Sequence, residues 1–189
     1  MRTATLILFS ILFLSGCSSI KVDTSESNMI APICLPGSKK INITILWGTL
    51  WRSDQKEPRL RESMAKQGIE QFINESDCVN AVSIHQIELE QRVPSNTEIL
   101  KLVTEDNIDQ VLFIVVRELG PTLVIGFPSI VEGHTEAILE VKVIDSHTNS
   151  VINDSKVHWR HGGKFVIKGT GSLTKDMSSA LQSILTKSD

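Results

Sequence analysis

Basic residues are scarce relative to acidic ones: 19 lysines and arginines against 22 aspartates and glutamates give a formal net charge of −3. Such a chain has no basic field of the kind that holds a phosphate backbone, and nucleic acid is excluded as a partner. Cysteine is scarce too. The three present, Cys17, Cys34 and Cys78, are too few and too widely spaced for a structural zinc site. No apolar run reaches the roughly 20 residues that a membrane-spanning helix needs. Internal repeats and low-complexity segments are absent, and nothing marks a second domain. Catalytic signatures are also missing. Gly162, Gly163, Gly169 and Gly171 precede the last helical stretch, but without the spacing or the lysine of a phosphate-binding loop.

What is present starts at the N-terminus. Met1, Arg2 and Thr3 form a short basic start, and residues 4–14 are continuously apolar, the length of a signal-peptide hydrophobic region. Leu14, Ser15, Gly16 and Cys17 follow, and this tetrad resembles the bacterial lipobox at every position. The resemblance implies that residues 1–16 are a removed leader and that Cys17 is the acylated mature N-terminus. Ser18 stands where an aspartate would hold such a protein on the inner membrane, which implies the outer membrane and a domain facing the periplasm. In that oxidising compartment Cys34 and Cys78 are expected to form one disulfide, with two separate buried thiols as the alternative.

Residues 17–39 are polar and interrupted by Pro32, Pro36 and Gly37, and read as a lipidated tether. Residues 40–189 suit one domain of about 150 residues. Ile41, Ile43 and Ile45 alternate with polar residues and predict a first strand; Pro58 opens a helix whose stripe is Leu60, Met64, Ala65, Ile69, Phe72 and Ile73. Residues 80–90 predict a second strand. Ser95 and Glu98 form a capping box for a second helix with Ile99, Leu102 and Val103 on its apolar side. Residues 111–116 are apolar without a break, as in a strand covered on both faces. Residues 136–144 alternate, with Ala137, Leu139, Val141 and Val143 in one phase, which implies one solvated face. A turn at 145–150 joins them to a strand over 151–160, residues 164–168 form a short strand candidate, and residues 174–187 predict a closing helix. The sum is an α/β fold, a mixed β-sheet packed with helices, which we expect on one face.

Residues 108–114, residues 140–145 with the turn at 145–149, and the strand ending at Trp159 resemble the N-terminal domain of TolB, the curli-secretion lipoprotein CsgG and the penicillin-binding-protein activator LpoB. In those families the turn carries a glycine where Asn149 stands here, and a Gly-Ala-Asp step where this chain has Asn107, Ile108 and Asp109. Asparagine is the next most tolerant residue for positive φ. The resemblance implies a TolB N-terminal-like α/β sandwich and a non-enzymatic accessory factor for an envelope complex, as a peptidoglycan synthase activator or a secretion accessory. An envelope or secretion protein is the implied partner, and oligomeric assembly is compatible with it.

Other motifs are weighed against plainer readings. His158 and His161, with His134 or His147, would make a metal site only if the chain turned at Arg160, since strand positions three apart face opposite sides. No metal and no cofactor is expected. Asp109 reads as a turn residue, and Arg117 and Glu118 as a solvated strand end. A small periplasmic hydrolase or metal-binding lipoprotein is the alternative to a binding protein. Residues 120–133 are apolar where a connection should be polar, and Leu123, Val124, Ile125, Phe127 and Ile130 are the candidate partner-binding residues. Two readings stay open here: a loop that binds a partner, favoured by Pro121 and Pro128, which oppose a regular ladder, or an extension of the sheet whose apolar residues cover the core.

Overall fold

The computed structural model describes residues 18–29, 33, 39–126 and 130–186. Six strands form one mixed sheet: β1 (Ser19–Met29), β2 (Ile41–Thr49), β3 (Val79–Gln86), β4 (Gln110–Gly126), β5 (Ile130–Asp145) and β6 (Val151–Lys164), in the spatial order β1-β6-β5-β4-β2-β3. Three helices pack on it: α1 (Pro58–Glu75), α2 (Asn96–Lys101) and α3 (Leu173–Leu185). The expected α/β class and mixed sheet are what the chain adopts.

The placing of the helices differs from the expectation of one face. β2, β3 and β4 are mutually parallel where they pair. The path from β2 through α1 to β3 moves outward, whereas the path from β3 through α2 to β4 returns across β2. Right-handed crossovers running in opposite lateral directions must place their helices on opposite faces. Accordingly Ala65, Ile69 and Phe72 of α1 pack with Ile43, Ile45, Leu112 and Ile114, while Ile99 of α2 packs on the other face with Leu46, Val111, Phe113 and Val115. β4 is buried on both faces from residue 111 to residue 116, as its unbroken apolar run requires.

α3 lies beside α1. Their approach is close enough that a Cβ on Gly68 would come within 2.5 Å of the Met177 Cβ, so α1 has its glycine at the crossing. The α3 stripe, Met177, Ala180, Leu181 and Ile184, then completes the core over Leu139, Val141 and Val157. The second helix begins as read: the Ser95 side chain accepts from the Glu98 amide, and the Glu98 carboxylate accepts from the Ser95 amide at 2.7 Å.

The turn between β5 and β6 is held by Asp145. Its carboxylate accepts from the Thr148 amide at 2.7 Å, the Thr148 hydroxyl at 2.9 Å and the His147 amide at 3.0 Å. These donors, the Thr148 amide first, hold its pKa below the usual value. Asn149 has φ 58°, the positive value for which asparagine was the tolerant choice.

Three further boundaries differ from the sequence reading. The stretch read as a tether contains β1, paired antiparallel with β6 from Ser19↔Gly162 to Met29↔Asn153. The second expected strand stops at Gln86, because residues 87–89 cross over Gly48, where a Cβ would meet the Ile87 carbonyl at 2.7 Å, and pack Ile87 and Leu89 beneath α2. Only Lys164 of the 164–168 candidate is in a strand. Of the two readings left open for residues 120–133, the extension of the sheet is what residues 120–126 and 130–133 adopt.

Candidate functional site

The candidate site is the far end of the β4–β5 hairpin. β2 pairs with β4 only as far as Thr49↔Val116, while β5 continues beside β4 to Gly126↔Ile130. Beyond residue 116, therefore, β4 has a free edge on its β2 side. That is where Pro121 is tolerated: it pairs opposite Thr135 within the ladder, and an edge strand accommodates a residue lacking an N–H. The expectation that proline would forbid the ladder assumed a strand enclosed on both sides.

The register shifts between Val116 and Glu118, marking a bulge at Arg117. Arg117 extends to Glu140 and makes a bidentate pair, at 3.1 and 3.0 Å. Glu118 is not a solvated strand end. It is only 6% exposed and faces Arg61 of α1, itself 7% exposed. Arg61 donates to the Glu118 carboxylate at 3.2 Å, to the Lys56 carbonyl at 2.6 Å and to the Leu119 carbonyl. Gln55 adds a bond to the same Glu118 oxygen at 3.0 Å, and Arg52 pairs with the other at 3.1 Å. The guanidinium thus closes the free edge of β4 directly below the hairpin tip. Gly120 is required beside it, since a Cβ there would lie 1.5 Å from Arg61 Nη1.

Above this closure the side chains are apolar and exposed: Leu123 is 54% exposed, Val124 49% and Ile125 72%. Opposite them, Gly133 pairs with Leu123 and Val131 with Ile125. The Phe165 amide donates to the Val131 carbonyl at 2.7 Å, and the chain crosses Gly133 so closely that a Cβ there would meet the Val166 carbonyl oxygen at 2.2 Å. Phe165, 73% exposed, and Ile167, 83% exposed, thereby join the same end of the sheet. Sequence reading left open whether Leu123, Val124 and Ile125 are exposed or cover the core, and it missed Phe165 and Ile167, which it assigned to a strand. The side chains of Phe127 and Ile130 lie outside the described residues, as do Pro128, Cys17 and Cys34.

The remaining candidates separate. His158 pairs with Glu136 at 2.9 Å on the open face of the sheet, whereas His161 pairs with the buried Asp176 at 3.2 Å on the helix face, as positions three apart on a strand must. Asp176 also accepts from Thr135 at 2.6 Å and Ser172 at 2.8 Å, which ties the start of α3 to β5. His147 approaches Asp109 at 3.9 Å, and Asp109 caps the start of β2 by accepting from the Asn42 amide at 2.7 Å. Among the described residues, no group of three or more His, Cys, Asp or Glu is placed to hold a metal ion.

A groove of about 590 Å³ on the open face is lined by Trp51, Arg52, Arg117, Glu118, Glu140 and Lys156, among others. Its cations are already matched: Arg117 and Lys156 with Glu140, Arg52 with Glu118. At its margin Glu136 is partly desolvated, which raises its pKa, but bonds from His158 and Thr122 outweigh this and leave it below the usual value.

Fold and site together define a single α/β domain with an apolar hairpin tip. No protein-family model matches the sequence, and no curated protein sequence does. Solved structures similar in fold include a PelC dodecamer from Paraburkholderia phytofirmans, 13% identical with a TM-score of 0.46, the match covering 90% of this chain and 100% of that one. Protein XCC0632 from Xanthomonas campestris is 13% identical, with a TM-score of 0.37 and coverage of 84% and 87%. Lipoprotein GNA1162 from Neisseria meningitidis is 14% identical, with a TM-score of 0.34 and coverage of 77% and 99%.

The buried pair yields a prediction. Replacing Arg61 by alanine strands Glu118 and reopens the β4 edge; removing one partner of a buried pair costs about 3–5 kcal/mol, and Gln55 and Arg52 hold this case toward the lower figure. Chemical denaturation of Arg61→Ala should show that loss, and a change below about 1 kcal/mol, the worth of an exposed pair, would mean the closure contributes no more than a surface contact.

Proposed function

We propose that this chain is an outer-membrane lipoprotein facing the periplasm, acylated at Cys17 after loss of residues 1–16, that acts by binding within an envelope complex and not by catalysis. The observation that carries the reading is the hairpin tip. Leu123 and Ile125 on one face of a two-stranded arm and Val124 on the other are exposed to solvent, and exposed apolar side chains grouped at one end of a sheet mark a contact surface. The titratable groups considered for chemistry, Asp109, Glu118, His158 and His161, are each engaged in holding the fold. Kinship with the TolB N-terminal domain, CsgG and LpoB, and with it a task in synthase activation or secretion, belongs to this proposal. Its support is the shared order of central strand, hairpin and tryptophan strand, realised here in β4, β5 and β6, with Trp159 in the core. Among the described residues no helix is long and apolar enough to cross a membrane, so Cys17 is the attachment proposed.

A disulfide between Cys34 and Cys78 is the second part of the proposal. Support comes from Ile33, the neighbour of Cys34, which packs into the same apolar cluster as the buried Cys78. Closing a loop of about 45 residues stabilises the domain by on the order of 4 kcal/mol in the chain-entropy model.

Two measurements test these statements. In fractionated cells the native chain should partition with outer membranes and Cys17→Ala should move to the soluble periplasm; a mutant retained on the membrane would refute acylation as the anchor. Peptide mapping of the native protein without reductant should recover the peptides of Cys34 and Cys78 joined, and recovery of both as free thiols would exclude the bond.

A further inference from the structure

We infer that the apolar end of the sheet is a membrane-docking surface, so that its occupant is the lipid bilayer itself. This rests on the acylation of Cys17 proposed above and specifies the contact proposed there for the hairpin tip: the tip meets the membrane of the envelope, and a protein of the complex meets the open face. The decisive relation is between the tip and the place where the described chain begins. Ser19 pairs with Gly162, Gly162 with His134, and His134 with Thr122. These four residues form one row across the sheet, three strand spacings or about 14 Å wide. Ser18 precedes that row, and Cys17 is one peptide, about 3.8 Å between Cα atoms, before Ser18. The acyl attachment point is thereby confined to the end of the sheet from which the hairpin projects. The opposite end, at Asn149, lies about 36 Å from that row and about 50 Å from the hairpin tip, measured along β4 and β5.

The side chains at this end fit a lipid surface. Pro121 and Thr135 share a face and a row with His161 and Ile20, and Leu123 and Ile125 continue that face outward along the hairpin. Ile20, Leu123, Ile125, Phe165 and Ile167 are all exposed. Lysines accompany them: Lys21 follows Ile20, and Lys164 and Lys168 bracket Phe165 and Ile167. Long cationic side chains beside apolar ones let the apolar groups enter the interface while the ammonium groups stay at the headgroups. Phe165 adds an independent sign. Its φ of 60° lies in the left-handed region, a genuine outlier for a bulky residue, and it gains little burial within the domain. A strained aromatic aimed at solvent is consistent with a contact made outside the chain. The open face of the sheet, with its matched charges and groove, then remains clear of the membrane for a protein partner.

The test uses the full acylated protein in vesicles of phosphatidylethanolamine and phosphatidylglycerol, some carrying bromine on the acyl chains. Tryptophan is introduced by Ile125→Trp, by Phe165→Trp, and by Asn149→Trp as the distant control. The added emission of the first two should shift to the blue and be quenched by brominated lipid, and that of the control should do neither. A protein that floats with the vesicles while tryptophans at both 125 and 165 stay unquenched would overturn the inference, leave the anchor intact and return the tip to a protein occupant. Failure to float would overturn the anchor and this inference together. Thermal midpoints equal to that of the parent verify that the variants are folded.

Discussion

β4 passes from one environment to another halfway along its length, and most of the molecule follows from that change. Through Val116 it is hydrogen-bonded on both edges and covered on both faces, and it forms the floor of two separate apolar clusters. Past Val116 it has lost β2 and the cover of α2, α1 still reaches it through Arg61 as far as Gly120, and it remains paired with β5 to Gly126. An edge of that length is normally a hazard for uncontrolled pairing. Here the Arg117 bulge, the Arg61 guanidinium at Leu119 and Pro121 interrupt it in succession. What is left unprotected is the short apolar tip.

The two faces of the sheet divide the remaining work. On the helix face the crossing of α1 and α3 and the Asp176 bonds to Thr135 and His161 tie the closing helix to the middle of the sheet. On the other face α2 covers only the β2–β4 end, and the rest is a field of cross-strand pairs: Lys142 with Asp154, Lys156 and Arg117 with Glu140, His158 with Glu136, Arg160 with Asp23. Individually such surface pairs contribute little stability. Collectively they keep this face hydrated and charged, in contrast to the apolar end.

Much of this was legible in the residues. The uninterrupted run at 111–116, the strict alternation of residues 136–144, the Ser95–Glu98 box and Asn149 each carried a local physical requirement, and each is met where it was read. The misreadings share a different cause, which is dependence on distant partners. β1 has only Ile20, Val22 and Thr24 in phase against Lys21, Asp23 and Ser25, a weak signal, and its pairing partner lies about 140 residues away in β6. Glu118 read as solvated because nothing nearby in sequence revealed Arg61. The hairpin tip was seen as apolar but left open between loop and strand, because Pro121 opposes a ladder only when both edges are occupied, and the free β4 edge is not a local property. Opposite-face placement of α2 was available from crossover handedness once the strand order was known, and strand order is not a local property.

Building β1 into the sheet also changes what attachment at Cys17 means. A free tether of some twenty residues in extended form would let the domain roam tens of ångströms, at about 3.1 Å per residue. With Ser19 already paired to Gly162, no such freedom remains, and under the attachment proposed at Cys17 the domain would be held against the surface that carries it. Amide hydrogen exchange of the mature protein tests this most directly. β1 is the edge strand, so those amides of residues 21–25 that face β6, every second one, should be protected, and free exchange of all the amides of residues 21–25 beside a protected β6 would contradict it.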